Sequence, residues 1–264
     1  MRGAFAGILL ANGRSSRRRM ERWTGKVAVV TGASAGIGAS IVRQLLDNGL
    51  VVVGLARRAE KIKDLARTPE EAKEKLHAVE CDVTKEDQVV CAFSWVREHL
   101  GTVDVLVNNA GLAKETSLSD GDLEDWRAVF DVNVFGLCLC TREAVRAMRE
   151  RNEGLVVNIN SFAGERVPAI PGFGVYPASK RATTGLIQTL RHELLGTEIR
   201  ITSISPGLVA TELMAKYSTF SEEAMAATPV LLPQDVAAAI SYVLSTPPHV
   251  LVQEITLRPV GETW

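Results

Sequence analysis

The chain has 264 residues, 46% of them hydrophobic, and a formal charge of −1. That size allows one substantial core, the balanced charge gives no electrostatic footprint for nucleic acid, and no apolar run reaches the ~18 residues of a membrane span. Cys81, Cys91, Cys138 and Cys140 form no C-x-x-C pair and the histidines are scattered, so neither a disulfide framework nor a zinc site is indicated.

Residues 1–20 stand apart from the rest. Arg2, Arg14, Arg17, Arg18 and Arg19 occur there without an acidic residue, as in a mitochondrial presequence, and the apolar stretch Phe5 to Ala11 also suits a weak secretory signal. A disordered extension or an upstream start is the third reading. The expectation is an N-terminal extension over 1–20, a folded domain over 21–264 and a cytoplasmic location, with a mitochondrial one if the arginines form a transit peptide.

Apolar runs predict strands at 26–30, 50–55, 76–80, 103–107, 154–159, 199–204 and 254–257. Helical patterns lie near 37–49, 85–99, 123–151, 177–195 and 234–245. Alternation of this kind, with no linker or repeat, predicts an α/β fold: a single-domain, Rossmann-like, doubly wound parallel sheet of about seven strands with helices on both faces. Its ligand crevice lies outside the strand C-termini. Gly32, Asn109, Ser161 and Pro206 each fall at or just beyond such an end, so residues distant in sequence converge there.

The first strand runs into Thr31-Gly32-Ala33-Ser34-Ala35-Gly36-Ile37-Gly38 and then a helical pattern. Strand, tight glycine turn and helix N-terminus together suit the pyrophosphate of a dinucleotide, although the spacing is G-x-x-x-G-x-G rather than G-x-G-x-x-G. After the second strand an acidic residue would hold the ribose hydroxyls of NAD. Ala56-Arg57-Arg58 stands there instead and matches the 2′-phosphate of NADP; two solvated arginines opening a basic helix is the alternative reading.

Tyr176 and Lys180, in the run Tyr176-Pro177-Ala178-Ser179-Lys180, lie one helical turn apart. Pro177 suits the first helical position, which leaves Tyr176 at the helix mouth. A nearby ammonium favours a phenolate, so this pair points to proton transfer; alone, the spacing also describes a solvated amphipathic pair.

Taken in order, the TGASAGIG run, Asn108-Asn109-Ala110-Gly111, Asn133, Ser161, the YPASK run and Ser205-Pro206-Gly207 resemble the short-chain dehydrogenase/reductase family from about Met20 to Pro259. Within it, the segments MERW (20–23), VVGLARR (52–58), RERN (149–152) and YVLSTP (242–247) are similar to insect NADP-dependent farnesol dehydrogenases and to a vertebrate ketosteroid-reducing relative.

The resemblance implies a catalytic set of Asn133, Ser161, Tyr176 and Lys180. Tyr176 would move the hydroxyl proton, Ser161 would bond the carbonyl oxygen, Lys180 would lower the tyrosine pKa and hold the nicotinamide ribose, and Asn133 would order a water. The gap between Ser161 and Tyr176 is longer than in many family members, so the loop Gly164 to Pro168 must bulge. For NADP(H) it implies contacts from Gly32, Ser34, Gly36, Ile37, Gly38, Arg57, Arg58, Asp82, Val83, Asn109, Ala110, Gly111, Tyr176, Lys180, Pro206, Gly207, Val209 and Thr211. Asp82 has a second reading, as cap of the helix beginning near Lys85. Ala35 departs from relatives with a basic residue there, leaving most of the discrimination to Arg57.

Ile170, Phe173, Leu208, Leu213, Met214, Tyr217, Phe220 and Met225 flank the crevice in this family. They suit an apolar pocket with a mobile lid near 208–228, and hence a lipophilic alcohol or ketone, farnesol or a related isoprenoid first and a ketosteroid second. Packing in the core or at a subunit interface is the competing explanation. A homodimer or homotetramer is the expected assembly, and a catalytically silent NADP-binding sensor is the remote alternative.

Overall fold

The computed structural model describes residues 19–214 and 228–262. The N-terminal stretch up to Arg18, together with Tyr217, Phe220, Met225 and most of the expected lid, lies outside the described residues.

Seven parallel strands form one sheet: β1 Val27–Thr31, β2 Val51–Ala56, β3 Leu76–Glu80, β4 Val105–Asn108, β5 Glu153–Ile159, β6 Glu198–Pro206 and β7 Glu254–Leu257. Their order is β3-β2-β1-β4-β5-β6-β7. The order reverses between β1 and β4, and it is there that a doubly wound sheet opens its ligand crevice. Val29 faces Val53 on one side and Leu106 on the other.

Alternation along each strand assigns side chains to two cores. Ala28, Val30, Val105, Val107, Leu155 and Val157 pack on one face against Ile41, Leu45, Val236 and Ile240. Val27, Val29, Leu106 and Val156 pack on the other against Val89, Phe93, Cys140, Met148 and Ile187. The central strands are buried on both faces, which explains their continuous apolar runs. Helices α1 (Gly36–Asp47) and α2 (Glu60–Lys63) precede α3 (Glu86–Leu100), and α4 (Leu123–Phe130), α5 (Leu137–Arg151), α6 (Tyr176–Glu193) and α7 (Pro233–Ser245) follow.

The single helix expected over 123–151 is divided: a π-helical turn, Asp131–Gly136, separates α4 from α5. The wide turn carries Asn133, whose amide grips the backbone of Leu112, donating to its oxygen at 2.8 Å and accepting from its N–H at 2.7 Å. Such bulges cluster at functional sites. The short helix Glu60–Lys63 follows Arg57 and Arg58, where a basic helix was the alternative reading, whereas Glu71–Lys75 was not expected, because its charge-rich sequence carries no clear apolar period.

Candidate active site

Between β1 and α1 the glycine turn is held by close packing. Gly32 has φ +64°, and a Cβ there would lie 2.9 Å from Ala110 Cα. Gly38 is tighter still, since a Cβ would lie 2.2 Å from the Gly32 carbonyl oxygen and 2.6 Å from Asn109 Nδ2. Glycine at 38 is thus what lets the helix approach the strand end. Ser34, Gly36 and Ile37 follow in the same turn and first helical residues, and the Thr211 side chain lies over Gly36.

The Asn108–Gly111 run closes the other side of the turn. Asn109 Nδ2 donates to the carbonyls of Thr31 at 2.9 Å and Gly32 at 3.1 Å, while Thr31 Oγ1 accepts from the N–H groups of Asn109 and Ala110. Asn108, buried below, bonds Thr141 and Asn158. The run therefore fixes β1 to β4 at the switch point. Thr31, whose hydroxyl anchors the arrangement, was not singled out; its signal was a hydroxyl ending an apolar strand.

At the end of β2, Ala33 N–H donates to Leu55 O at 3.3 Å, so the strand end carrying Arg57 abuts the glycine turn. Arg57 is exposed. Arg58 stands 3.7 Å from Glu212, with both side chains at least half exposed. Such a pair is worth little in water. Beyond β3, Asp82 does not cap α3: its carboxylate accepts from the N–H and hydroxyl of Thr84 at 3.0 and 2.8 Å, and Lys85 occupies the cap position without a side-chain bond. The local Asx turn wins because Thr84 is two residues away, whereas the helix starts only at Glu86. Val83 is buried in the core on the α3 side.

Ser161 lies two residues past the end of β5 and caps a short turn, Phe162–Gly164, accepting from Ala163 N–H at 3.1 Å. Residues 165–167 are exposed and the chain returns with Pro168 and Ile170 buried. The Ser161 side chain reaches Tyr176, at the first residue of α6, and hydrogen-bonds its phenol. Burial pushes the Tyr176 phenol up, and the Ser161 bond opposes that shift.

Lys180, 6% exposed, sits one turn further along α6. Its ammonium donates to Ile159 O at 3.0 Å and lies 5.8 Å from the centre of the Tyr176 ring. Burial lowers its pKa to about 8. The expected lowering of the tyrosine pKa by Lys180 is not what this arrangement produces: burial of the phenol outweighs the other influences.

Asn133 comes to the same place by a different route. Its Nδ2 donates to Ser179 Oγ at 3.0 Å as well as to Leu112 O, and Thr183 Oγ1 donates to the Asn133 carbonyl at 3.3 Å. Ser179 in turn donates to Tyr176 O at 2.7 Å. Ser179 and Thr183, both fully buried, were missed by sequence reasoning, although Ser179 sits between Tyr176 and Lys180 in the motif itself.

Beside the phenol lies a third apolar cluster, separate from the two sheet cores: Ala113, Ile170, Phe173, Leu208 and Met214, with Tyr176, Leu213 and Val230 packed against it. Phe173 meets the Tyr176 ring edge-on at 5.7 Å. Pro206 ends β6, and Gly207, Val209 and Thr211 lead from it over the crevice; Val209 is bridged to Leu231. No group of three or more metal-ligating side chains occurs among the described residues, and no helix among them is long and apolar enough to cross a membrane.

A doubly wound sheet with its glycine turn at the switch point and a serine–tyrosine–lysine set across the crevice defines a class of oxidoreductase. Residues 26–222 match the family described as short chain dehydrogenase, and the chain belongs to it. A farnesol dehydrogenase from Aedes aegypti is 48% identical over 92% of this chain and 99% of its own length. The Mus musculus protein called dehydrogenase/reductase SDR family member 11 is 45% identical over 94% and 99%. Among solved structures, an alcohol dehydrogenase from Thermococcus sibiricus complexed with 5-hydroxy-NADP is 29% identical with a TM-score of 0.80, covering 90% of this chain and 98% of that one. The closed form of a serine dehydrogenase complexed with NADP+ is 33% identical with a TM-score of 0.79, covering 90% and 96%.

Proposed function

We propose that this protein is an NADP(H)-dependent oxidoreductase interconverting a hydrophobic alcohol and its aldehyde or ketone, with farnesol or a related isoprenoid alcohol first. The observation that carries the reading is the Ser161–Tyr176 hydrogen bond placed against the apolar cluster of Ile170, Phe173, Leu208 and Met214. A hydroxyl pair for a carbonyl oxygen and an apolar wall for its substituents thus stand together. The similarity to a farnesol dehydrogenase agrees with that wall.

The residues fit a dinucleotide: Gly32 and Gly38 leave backbone accessible where side chains would fill the turn, and Arg57 stands exposed one residue past β2. When bound, the nicotinamide supplies or takes the hydride. Arg57 would pair with the 2′-phosphate, Arg58 assisting, while the turn and α1 N-terminus receive the pyrophosphate. Asp82, Val83, Asn109, Ala110 and Gly111 would flank the adenine and ribose; Pro206, Gly207, Val209 and Thr211 would line the nicotinamide side.

Tyr176 would give a proton to the forming alkoxide in reduction and take one in oxidation, with Ser161 bonded to the same oxygen. Lys180 would hold the ribose and a positive charge beside the phenol. Asn133, with its amide committed to Leu112 and Ser179, would act by holding the site together rather than by its side chain binding water. A panel of terpenoid alcohols, steroids, retinoids and small carbonyls, read by NADPH absorbance with NADH as control, tests the reading. It predicts the highest kcat/KM for long isoprenoids with NADP(H); preference for small polar substrates would refute it.

A further inference from the structure

The chain after β7 returns to the crevice that sequence reasoning assigned to other segments. Arg258 places its guanidinium 4.9 Å from the centre of the Phe162 ring, in the residue after Ser161. Arg258 Nε also donates to Glu262 Oε2. The Glu262 side chain is only 1% exposed, and both of its carboxylate oxygens would lie 3.0 Å from a Cβ built on Gly207. Gly207 N–H donates to Leu257 O at 2.7 Å, and Thr256 Oγ1 donates to Glu165 at 3.2 Å.

Two walls of the site are therefore tied by one short segment: the Ser161–Glu165 turn through Thr256 and Arg258, and the turn after β6 through Leu257 and Glu262. A carboxylate so buried needs its counter-ion, because removing one partner leaves an uncompensated charge. Oε1 has no hydrogen-bond partner among the described residues, so Arg258 is its main compensation. A pair this costly to bury, at the mouth of a site, is better placed to fix geometry than to add stability.

We propose that Arg258 and Glu262 are positioning residues for the catalytic crevice: Glu262 sets the Gly207 wall against which the nicotinamide end of the cofactor packs, and Arg258 sets the Ser161 turn through Phe162. The inference rests on the NADP(H) reading above. It predicts a selective effect. Damage to the clamp disturbs the nicotinamide half and turnover while sparing the adenosine half, held by the glycine turn and Arg57.

The test compares binding of NADPH with that of 2′-phospho-ADP-ribose, which lacks the nicotinamide, in full-length wild type, Glu262→Ala, Glu262→Gln and Arg258→Met. Glu262→Ala should weaken NADPH about tenfold, the scale of one lost charge-assisted contact, and leave the fragment unchanged. Glu262→Gln, which keeps the shape and a neutral acceptor for Arg258 but not the charge, should recover part of that loss. Arg258→Met should lower kcat roughly tenfold or more with little change in fragment affinity, since a small misplacement of a catalytic group has that effect. Equal loss of both ligands, or no selective loss in any variant, overturns the clamp; if Glu262→Ala does not fold, Arg258→Met and Glu262→Gln decide by the same comparison. Failure of the wild type to bind either ligand would instead sink the NADP(H) reading itself.

Discussion

The Lys180 ammonium stands 5.8 Å from the centre of the Tyr176 ring and spends a hydrogen bond on the Ile159 carbonyl at 3.0 Å. Burial raises the Tyr176 pKa and lowers that of Lys180 to about 8. The resting pair near neutrality is thus a protonated phenol beside an ammonium, arranged to give a proton rather than to take one.

That arrangement sets the pH dependence of the two directions. Carbonyl reduction should be level through neutral pH and fall above about 8, as Lys180 and then Tyr176 lose their protons. Alcohol oxidation, which needs a deprotonated phenol, should rise with pH over the same range. Initial rates in both directions between neutral and alkaline pH check this; an oxidation rate that falls throughout would contradict it.

A stability effect follows from the same lysine. Its folded pKa of about 8 lies below the ordinary 10.5. Below about 8 both states are protonated and the folded state carries the whole penalty, about 3 kcal/mol at the upper limit; between the two values the unfolded chain binds more protons, so stability rises with pH. Lys180→Met should therefore raise Tm at pH 7 by roughly 5 °C after allowing for the lost bond to Ile159. The gain should shrink as pH approaches 10. Thermal melts of both proteins across that range are the measurement, and a lower Tm for the variant at neutral pH would reverse the sign.

Packing makes a different demand at the glycine turn. A Cβ on Gly38 would meet backbone, the Gly32 carbonyl oxygen at 2.2 Å, which no rotamer change relieves. Gly38→Ala should cost at least ~3 kcal/mol, with lost soluble yield or a Tm lowered by roughly 10 °C. Calorimetry decides, and an unchanged Tm would show that the turn tolerates the shift.

For cofactor selectivity, Arg57→Asp should weaken NADP(H) and relieve discrimination against NAD(H). Arg58→Ala should matter less, because Arg58 already leans toward Glu212. Affinities for both cofactors give the ratio. An unchanged ratio in Arg57→Asp would move the 2′-phosphate elsewhere.

The substrate wall can be tested separately. Replacing Leu213 and Met214, which pack on or within the cluster beside Tyr176, by polar residues should raise KM for long apolar alcohols more than for short ones. Equal losses across chain length would point to a pocket elsewhere.

Sheet and crevice were legible in the sequence because their signals are local: continuous Val and Ile runs for strands buried on both faces, and glycines where a helix must meet a strand end. The π turn at Asn133 was not, since a polar residue in a helical pattern does not announce a wider turn; its side-chain partner, the backbone of Leu112, is distant in sequence. Asp82 shows the same limit at short range, where the Thr84 turn and a helix cap compete for one carboxylate. Arg258 and Glu262 gave no signal at all. Their partners, Phe162 and Gly207, are set by the sheet order and by nothing in the neighbouring residues. The long gap before Tyr176 runs through exposed residues 165–167, in the loop expected to bulge.

The most direct test of the account is turnover by Tyr176→Phe on the best isoprenoid substrate, with NADPH affinity measured on the same sample. The ring and its edge contact with Phe173 are kept while the hydroxyl bonded to Ser161 is removed. Near-native NADPH binding with most of the turnover lost, roughly a hundredfold or more, is the predicted result for loss of a general acid. A folded variant that turns over at close to the native rate would contradict the assignment of Tyr176 as the group that moves the proton.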